Sequence, residues 1–448
     1  MILSARQIAF GPFRFDAEVP RLLRGTVQIN LRAQALHALR VLVQNGGRCI
    51  DYEEMIRDAW RGTLVSRHTV AVTVGEVKKA LRECGDWISY HPHLGYRLDI
   101  PQSEELIHIG WHHWQRHTPE GFDKALRCFQ RALNAGGLDF RVYEGISRCY
   151  LMLGTFAMRQ PREMQAAFAK NNARAVMAAG GTTPELRGDF AQSLHIFELR
   201  FREAEAQLRT AEKENPRIAG TYIRLTVLYT CLKRFDEALK SLRQAYARDS
   251  LWPILPACET ILHRSMGNLN LAVACGKKTV DLHPYLALGR SQYAQALEQS
   301  GNLEAALTQY AAASSISPDL PRLRAEEAHC LARMGRRRES RARLEELRER
   351  GRTEFVDSCT LAPVYEALGE TEKALKLLEN SVEAGSPHLS FIDVDYRLDP
   401  LRTIPQFIRI RNQVFREQRR QTRKARMSAA IAIQFNGNEL MENRETAC

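Results

Sequence analysis

No two of the ten cysteines, scattered from Cys49 to Cys448, stand two residues apart. That spacing excludes the paired thiols of a zinc ribbon or a redox motif and leaves buried thiols in a reducing compartment. A run of about 18 apolar residues is missing, so no membrane span is expected. The start Met1-Ile-Leu-Ser-Ala-Arg-Gln7 lacks the basic lead and apolar core of a secretion signal. Cytoplasmic residence follows as the expectation. Neither a glycine-rich phosphate loop before a helix nor a Gly-x-Ser-x-Gly turn occurs, and paired carboxylates stand only as solvated helix charges. No enzyme is expected, and no motif asks for a cofactor. His91, His93 and the His112-His113 pair lack further ligands at useful spacing, so no metal site is read from them.

What is present is a foldable chain of 448 residues, 44% hydrophobic and 26% charged, long enough to need several cores or a stack of repeats. Its net charge of +12 favours polyanionic partners without choosing among them. The excess is spread: residues 1–100 hold 14 basic and 10 acidic residues, and further basic clusters lie at Arg333–Arg352 and Arg416–Arg426.

Short apolar runs at Ile8–Phe10, Phe13–Phe15 and Val27–Ile29, punctuated by Gly11-Pro12 and Arg24-Gly25, predict strands. The period then lengthens. Leu36, Leu39 and Val41–Val43 predict a helix from about Arg32 to Asn45, stopped by Gly46-Gly47, and Asp51 caps a second that ends at Trp60. Ser66 caps a third, from about Thr69 to Arg82, whose apolar face is Val70, Val74, Val77 and Leu81. Its opposite side is read as His68, Thr73, Glu76, Lys79 and Arg82. Ile88–Tyr90, a Pro92-His93-Leu94-Gly95 turn and Tyr96–Leu98 complete the order as a hairpin wing. In a winged helix the third helix enters a major groove while the hairpin lies beside it.

The residues Phe13-Arg-Phe-Asp16, Leu22-Leu-Arg24, Tyr52-Glu-Glu-Met-Ile-x-x-Ala59-Trp60, Thr69-Val70-x-Val72, Lys78-Lys-Ala-Leu81 and Gly95-Tyr-Arg-Leu98 resemble the OmpR-type winged helix over residues 8–100. The resemblance implies double-stranded DNA as partner. It implies that Trp60 touches the DNA backbone, that His68 and Thr73 face bases or phosphates, that Lys78 and Lys79 neutralise phosphates, and that Arg97 supports the wing. Arg67, Thr69, Arg82 and His93 join them at the implied interface. Gly75 and Glu76 stand where many members carry a basic residue, although a carboxylate at Glu76 can accept from cytosine N4. Pro92-His93-Leu94 likewise replaces the usual wing residues. A solvated helix face remains the plainer reading of each of these side chains, and Trp60 can equally be core.

From Glu104 onward the chain reads as helix broken at short intervals. Small residues recur every 34 positions, at Ala204, Ala238, Ala272, Ala306, Ser340 and Ala374, each followed four residues later by Leu208, Leu242, Gly276, Tyr310, Leu344 and Leu378. A fixed 34-residue period is the tetratricopeptide signature: the small residue admits a close helix and the larger one plugs the neighbouring groove. Ala169 with Ala173, and Ala125 with Phe129 and Ala132, extend the count to eight units, an inserted loop near Thr155–Glu163 accounting for their wider separation. Trp111 and Trp114 are read as packing residues. Trp111-x-x-Trp114, Asp395-Tyr-Arg-Leu-Asp-Pro-Leu-Arg402 and Pro405-x-Phe407 resemble HilA- and CadC-like bacterial regulators, which join an OmpR-type winged helix to such repeats. CadC-like members also carry a membrane span, which this sequence does not show.

The expected organisation is mainly α with a small β component: a winged helix at 1–103, an α-solenoid of tetratricopeptide repeats at 104–410 and a basic tail at 411–448. That tail is read either as a helix fraying into disorder or as an extra phosphate anchor. No receiver domain is read before the winged helix, so regulation is expected from the repeats, through a protein partner, an effector or a homodimer contact. The competing expectation is an interaction scaffold whose winged domain has lost DNA affinity, which Gly75, Glu76 and the altered wing suggest.

Overall fold

Phe10, Phe13, Phe15 and Leu22 are completely or almost completely buried, and they hold a four-stranded antiparallel meander against the first helices. Its strands are β1 (Gln7–Phe10), β2 (Phe13–Asp16), β3 (Arg21–Arg24) and β4 (Val27–Ile29), with Phe10 opposite Phe13 and Phe15 opposite Leu22. The computed structural model describes residues 7–416 apart from 11–12, 17–18, 25–26 and 136–139. The Gly11-Pro12 and Gly25 turns and most of the basic tail therefore lie outside the described residues. Strand β3 is unannounced by the apolar runs, because Arg21 and Arg24 bracket only two leucines.

Three helices follow as the periodicity predicts: α1 (Ala33–Gln44), α2 (Tyr52–Ala59) and α3 (Arg67–Leu81). Asp51 accepts the Glu54 N–H at 2.7 Å and Ser66 accepts the Thr69 N–H at 3.1 Å, so both caps satisfy backbone donors that the helix leaves free. The wing is β5 (Ile88–His91) paired with β6 (Gly95–Leu98). Ile50 adds a bridge to Tyr96, which seats β6 against the strand entering α2. Gly95 is required there: its φ is +95°, and a Cβ would collide with the Ile50 carbonyl oxygen.

The remaining helices form eight consecutive pairs: α4 (Gln102–Trp114) with α5 (Pro119–Asn134), α6 (Phe140–Thr155) with α7 (Pro161–Ala178), α8 (Pro184–Ile196) with α9 (Phe201–Glu214), α10 (Ala219–Cys231) with α11 (Phe235–Arg248), α12 (Ile254–Ser265) with α13 (Leu269–Leu282), α14 (Ala287–Gln299) with α15 (Leu303–Ile316), α16 (Pro321–Arg333) with α17 (Arg337–Arg350), and α18 (Ser358–Ala367) with α19 (Thr371–Ala384). Helix α20 (Pro405–Val414) closes the described chain. By its contacts the chain divides into two compact units, Met1–Gln115 with Asp123–Gly145 and Arg116–Phe122 with Ile146–Cys448. None of the described helices is long and apolar enough to cross a membrane.

The small residues of the 34-residue period are all fully buried, from Ala204 to Ala374, as is Ala125. Gly276, in the plug position of its pair, is occupied from across the interface: a Cβ there would meet the Tyr293 ring at 2.6 Å. Trp111 packs edge-on to Phe129 with centroids 5.3 Å apart, the packing role expected of it. One assignment is corrected. Ala169 and Ala173 are exposed, and α7 instead turns Phe168, Asn171, Asn172 and Ala175 inward. The extra residues of this unit go into longer helices, 16 residues in α6 and 18 in α7, with only 156–160 between them.

The period also recurs in the backbone. Leu199, Lys233, Gly267, Gly301, Gly335 and Gly369 all have positive φ, between 56° and 88°, at steps of 34 residues. Each follows the first helix of a pair, and in the last five the next N–H reaches back to the carbonyl five residues earlier, as Asn302 does to Leu297 at 2.9 Å. This is the left-handed C-cap that lets the chain reverse within a few residues.

The segment 386–415 packs back on the same unit. Leu389, Ile392, Leu398, Leu401 and Phe407 share one core with Leu194, Tyr222, Leu225 and Leu255, and Phe415 stacks on Phe201 at 5.2 Å. His388 meets both Asp357 and Arg322, and Tyr396 lies under the Arg264 guanidinium at 5.5 Å. The Asp395–Arg402 motif is thus an internal strap across the first helices of several pairs.

Candidate nucleic-acid interface

Helix α3 spends one face on the core. Val70, Val74, Val77 and Leu81 are each at most 1% exposed. Opposite them Arg67, His68, Ala71, Val72 and Lys79 are exposed, while Gly75, Glu76 and Lys78 are half-buried. Thr69 is exposed at the helix start, where its Oγ1 lies 3.0 Å from the Ser66 hydroxyl. Arg67 is stacked over the Tyr52 ring at 5.4 Å, and the Tyr52 hydroxyl donates to the Val65 carbonyl. That contact fixes the entry to α3 from the loop after α2. Arg82 ends the helix, exposed, with φ +55°.

Two expected contacts take different roles. Thr73 is 2% exposed and its hydroxyl donates to the Thr69 carbonyl at 2.9 Å, so it does not face bases or phosphates. Three residues after Val70 and four before Val77, it stands on the inner face by helical geometry. Trp60, 9% exposed at the end of α2, belongs to the core cluster, and packing is its role in the fold. On the outer surface of α3, Val72 and Ala71 are exposed apolar residues beyond those that the resemblance assigns to the interface. A signal existed for Val72: Val70, Val72 and Val74 alternate in steps of two, and one helical face cannot hold all three.

Glu76 is held by Arg32, the residue preceding α1. The Arg32 Nε donates to both carboxylate oxygens at 3.0 and 2.9 Å, and a terminal guanidinium nitrogen lies 2.5 Å from Oε2. These hydrogen bonds, with the charge behind them, hold the Glu76 carboxyl below the usual range and raise Arg32. The one acidic side chain of α3 therefore faces the solvent already neutralised.

At the wing, His93 takes φ +64° at the turn and is exposed, as are Tyr90 and Leu94. Tyr90 and Tyr96 pack with ring centroids 5.1 Å apart, and Ser89 and His91 share a 2.8 Å hydrogen bond. Arg97 is paired with Asp99 at 2.6 Å, which anchors its side chain along β6 and spends part of its charge.

The three helices α1–α3 and the two-stranded wing lie within residues 26–98, which match the family described as transcriptional regulatory protein, C terminal. Those residues are an OmpR-type winged helix. The chain is also similar to the transcriptional activator CadC of Escherichia coli K12, 22% identical over 98 residues, covering 21% of this chain and 19% of CadC. The chain thus spans about a fifth of the length of that relative. The helix pairs are similar to a thermophilic tetratricopeptide protein of Thermus thermophilus, at 23% identity and a TM-score of 0.36 over 44% of this chain and 98% of that one. They are also similar to a tetratricopeptide protein of Parabacteroides merdae at 13% identity and a TM-score of 0.39, over 60% of this chain and 99% of that one. The array joined to the winged helix is of tetratricopeptide type, as the 34-residue period states on its own.

Proposed function

We propose that this chain is a DNA-binding transcription regulator: α3 enters a major groove, the wing lies beside it over phosphate or in the minor groove, and the repeats take a protein partner or effector. The observation that carries this reading is the outer face of α3. It has no part in the core, it bears Arg67, His68 and Lys79 with Arg82 beyond, and its single carboxylate is covered by Arg32. Such a face offers cations to phosphates and small apolar groups, Ala71 and Val72, to thymine methyls. Regulation of promoters places the chain in the cytoplasm and asks for no catalytic group.

The test is a salt titration of full-length protein on labelled duplexes of differing sequence. Affinity is expected to fall steeply with salt, with a log–log slope of about −0.9 for each phosphate contacted. Absence of binding even in dilute buffer overturns the reading and leaves an interaction scaffold.

A further inference from the structure

Glu259 and His263 are one helical turn apart on α12, so both side chains leave the same face. Cys275 meets them from α13, the second helix of that pair. A carboxylate oxygen, a ring nitrogen and the Sγ atom lie within 4.8 Å of one another, and all three residues are half-buried. The group is thus partly desolvated and still reachable from water.

The hydrogen bonding around these atoms is incomplete in one place. Tyr246 donates its hydroxyl to Glu259 Oε2 at 2.7 Å, and the Cys275 thiol also bonds to that carboxylate. His263 Nδ1, by contrast, is buried without a hydrogen-bond partner. A buried ring nitrogen normally finds a donor, an acceptor or a metal. Beside this ring stand a carboxylate and a thiol, two further metal ligands.

We propose that Glu259, His263 and Cys275 bind one divalent transition-metal ion, zinc by preference, with a fourth position open to water or a ligand. Sulfur and imidazole donors select against magnesium and calcium and suit zinc. A thiolate and a carboxylate together cancel the charge of the dication. Zinc bonds of about 2.0–2.3 Å place tetrahedral donors roughly 3.5 Å apart, which side-chain rotation on two fixed helices can reach from the observed spacing. Tyr246 then serves as the outer-shell group that orients the carboxylate. Burial, and then the neighbouring Glu259 carboxylate, push the Cys275 thiol up to about 11, with Lys278 acting the other way, so metal binding here must displace the thiol proton. The site stands whether or not the winged helix binds DNA, and it gives the repeat array a small effector of defined chemistry.

Full-length protein, stripped with chelator under reducing conditions, is titrated with cobalt(II) and then zinc(II). One equivalent of cobalt is expected to produce a thiolate-to-metal charge-transfer band with tetrahedral visible absorption, and zinc should displace it. Cys275→Ser should abolish the band and His263→Ala should weaken cobalt binding tenfold or more, while Cys128→Ser leaves both unchanged. Zinc should also raise the thermal midpoint of the wild type and not that of His263→Ala. Where Cys275→Ser does not fold, Glu259→Gln carries the comparison, again with binding weakened tenfold or more. A folded wild type without the charge-transfer band, or a band that survives Cys275→Ser, overturns the assignment.

Discussion

Arg32 and Glu76 are 44 positions apart in sequence, yet the guanidinium of one closes on the carboxylate of the other through three donor–acceptor contacts of 2.5–3.0 Å. The pair lies on the solvent-facing side of α3, and if that side meets DNA as proposed, its first effect is electrostatic: Arg32 offsets the repulsion between Glu76 and phosphate. Removing Arg32 by Arg32→Ala is expected to weaken DNA binding roughly threefold to tenfold at low salt, as a bare carboxylate faces the backbone. Adding Glu76→Gln should restore most of the loss. If the double variant binds no better than Arg32→Ala, Arg32 contacts DNA on its own account and the counter-ion role fails.

Lys78 and Lys79 occupy the last turn of α3, where cations also suit the helix dipole. The double variant Lys78→Ala, Lys79→Ala should lose affinity for every duplex alike, and its log–log salt slope should be shallower by about 1.8, two phosphate contacts' worth. Fluorescence anisotropy at four or five salt concentrations checks it. An unchanged slope means that neither lysine meets phosphate.

Sequence preference is expected to follow Val72 and not Thr73. Thr73→Ala removes a buried hydroxyl bonded inside its own helix, so it should alter stability by about 1 kcal/mol and leave the ranking of duplexes intact. Val72→Ser removes an exposed apolar group and should change discrimination between thymine-containing sites and others by about 1 kcal/mol or more. Selection from a randomised duplex pool reads both. A shifted consensus for Thr73→Ala would place α3 in a different rotation from the one described.

How much of this was legible beforehand depended on range. The core face of α3, its Ser66 cap and the 34-residue period were local or strictly periodic, and the structure keeps them. Arg32 against Glu76, and Glu259 with His263 against Cys275, arise from chain segments that pack together without any fixed spacing to announce them. Ala169 misled because alanine suits both an exposed helix surface and a close helix contact, so composition alone could not set the register of α7. The recurring left-handed turn was half-visible, as glycine at 267, 301, 335 and 369, and hidden where Leu199 and Lys233 take the same conformation.

That disguise yields a stability prediction. Lys233 holds φ +57° at a position where four other pairs use glycine, and a non-glycine residue there carries a steric cost of about 1 kcal/mol. Lys233→Gly should therefore raise the thermal midpoint, by a degree or more in order of magnitude, without changing DNA affinity. Gly301→Lys, the reverse change in a neighbouring pair, should lower it. A lower midpoint for Lys233→Gly would mean that glycine's extra freedom in the unfolded chain outweighs the relief of strain.

His195 supplies the pH dependence. It is buried in α8 beside the Phe201 ring, its Nε2 has no hydrogen-bond partner, and burial lowers its pKa from 6.5 to about 3. The unfolded chain takes up a proton near pH 6.5 that the folded chain refuses until about pH 3. Between those values the unfolded state binds more protons, so stability falls as pH falls, by about 1.4 kcal/mol per pH unit for this group and about 2 kcal/mol by pH 5. His117, lowered to about 4 by burial, adds a second contribution of the same sign. His195→Leu should remove the first contribution: its thermal midpoint should drop less than that of the wild type between pH 7 and pH 5. Parallel curves for the two proteins would show that His195 gains a proton in the folded state, and hence that a partner or water reaches its ring.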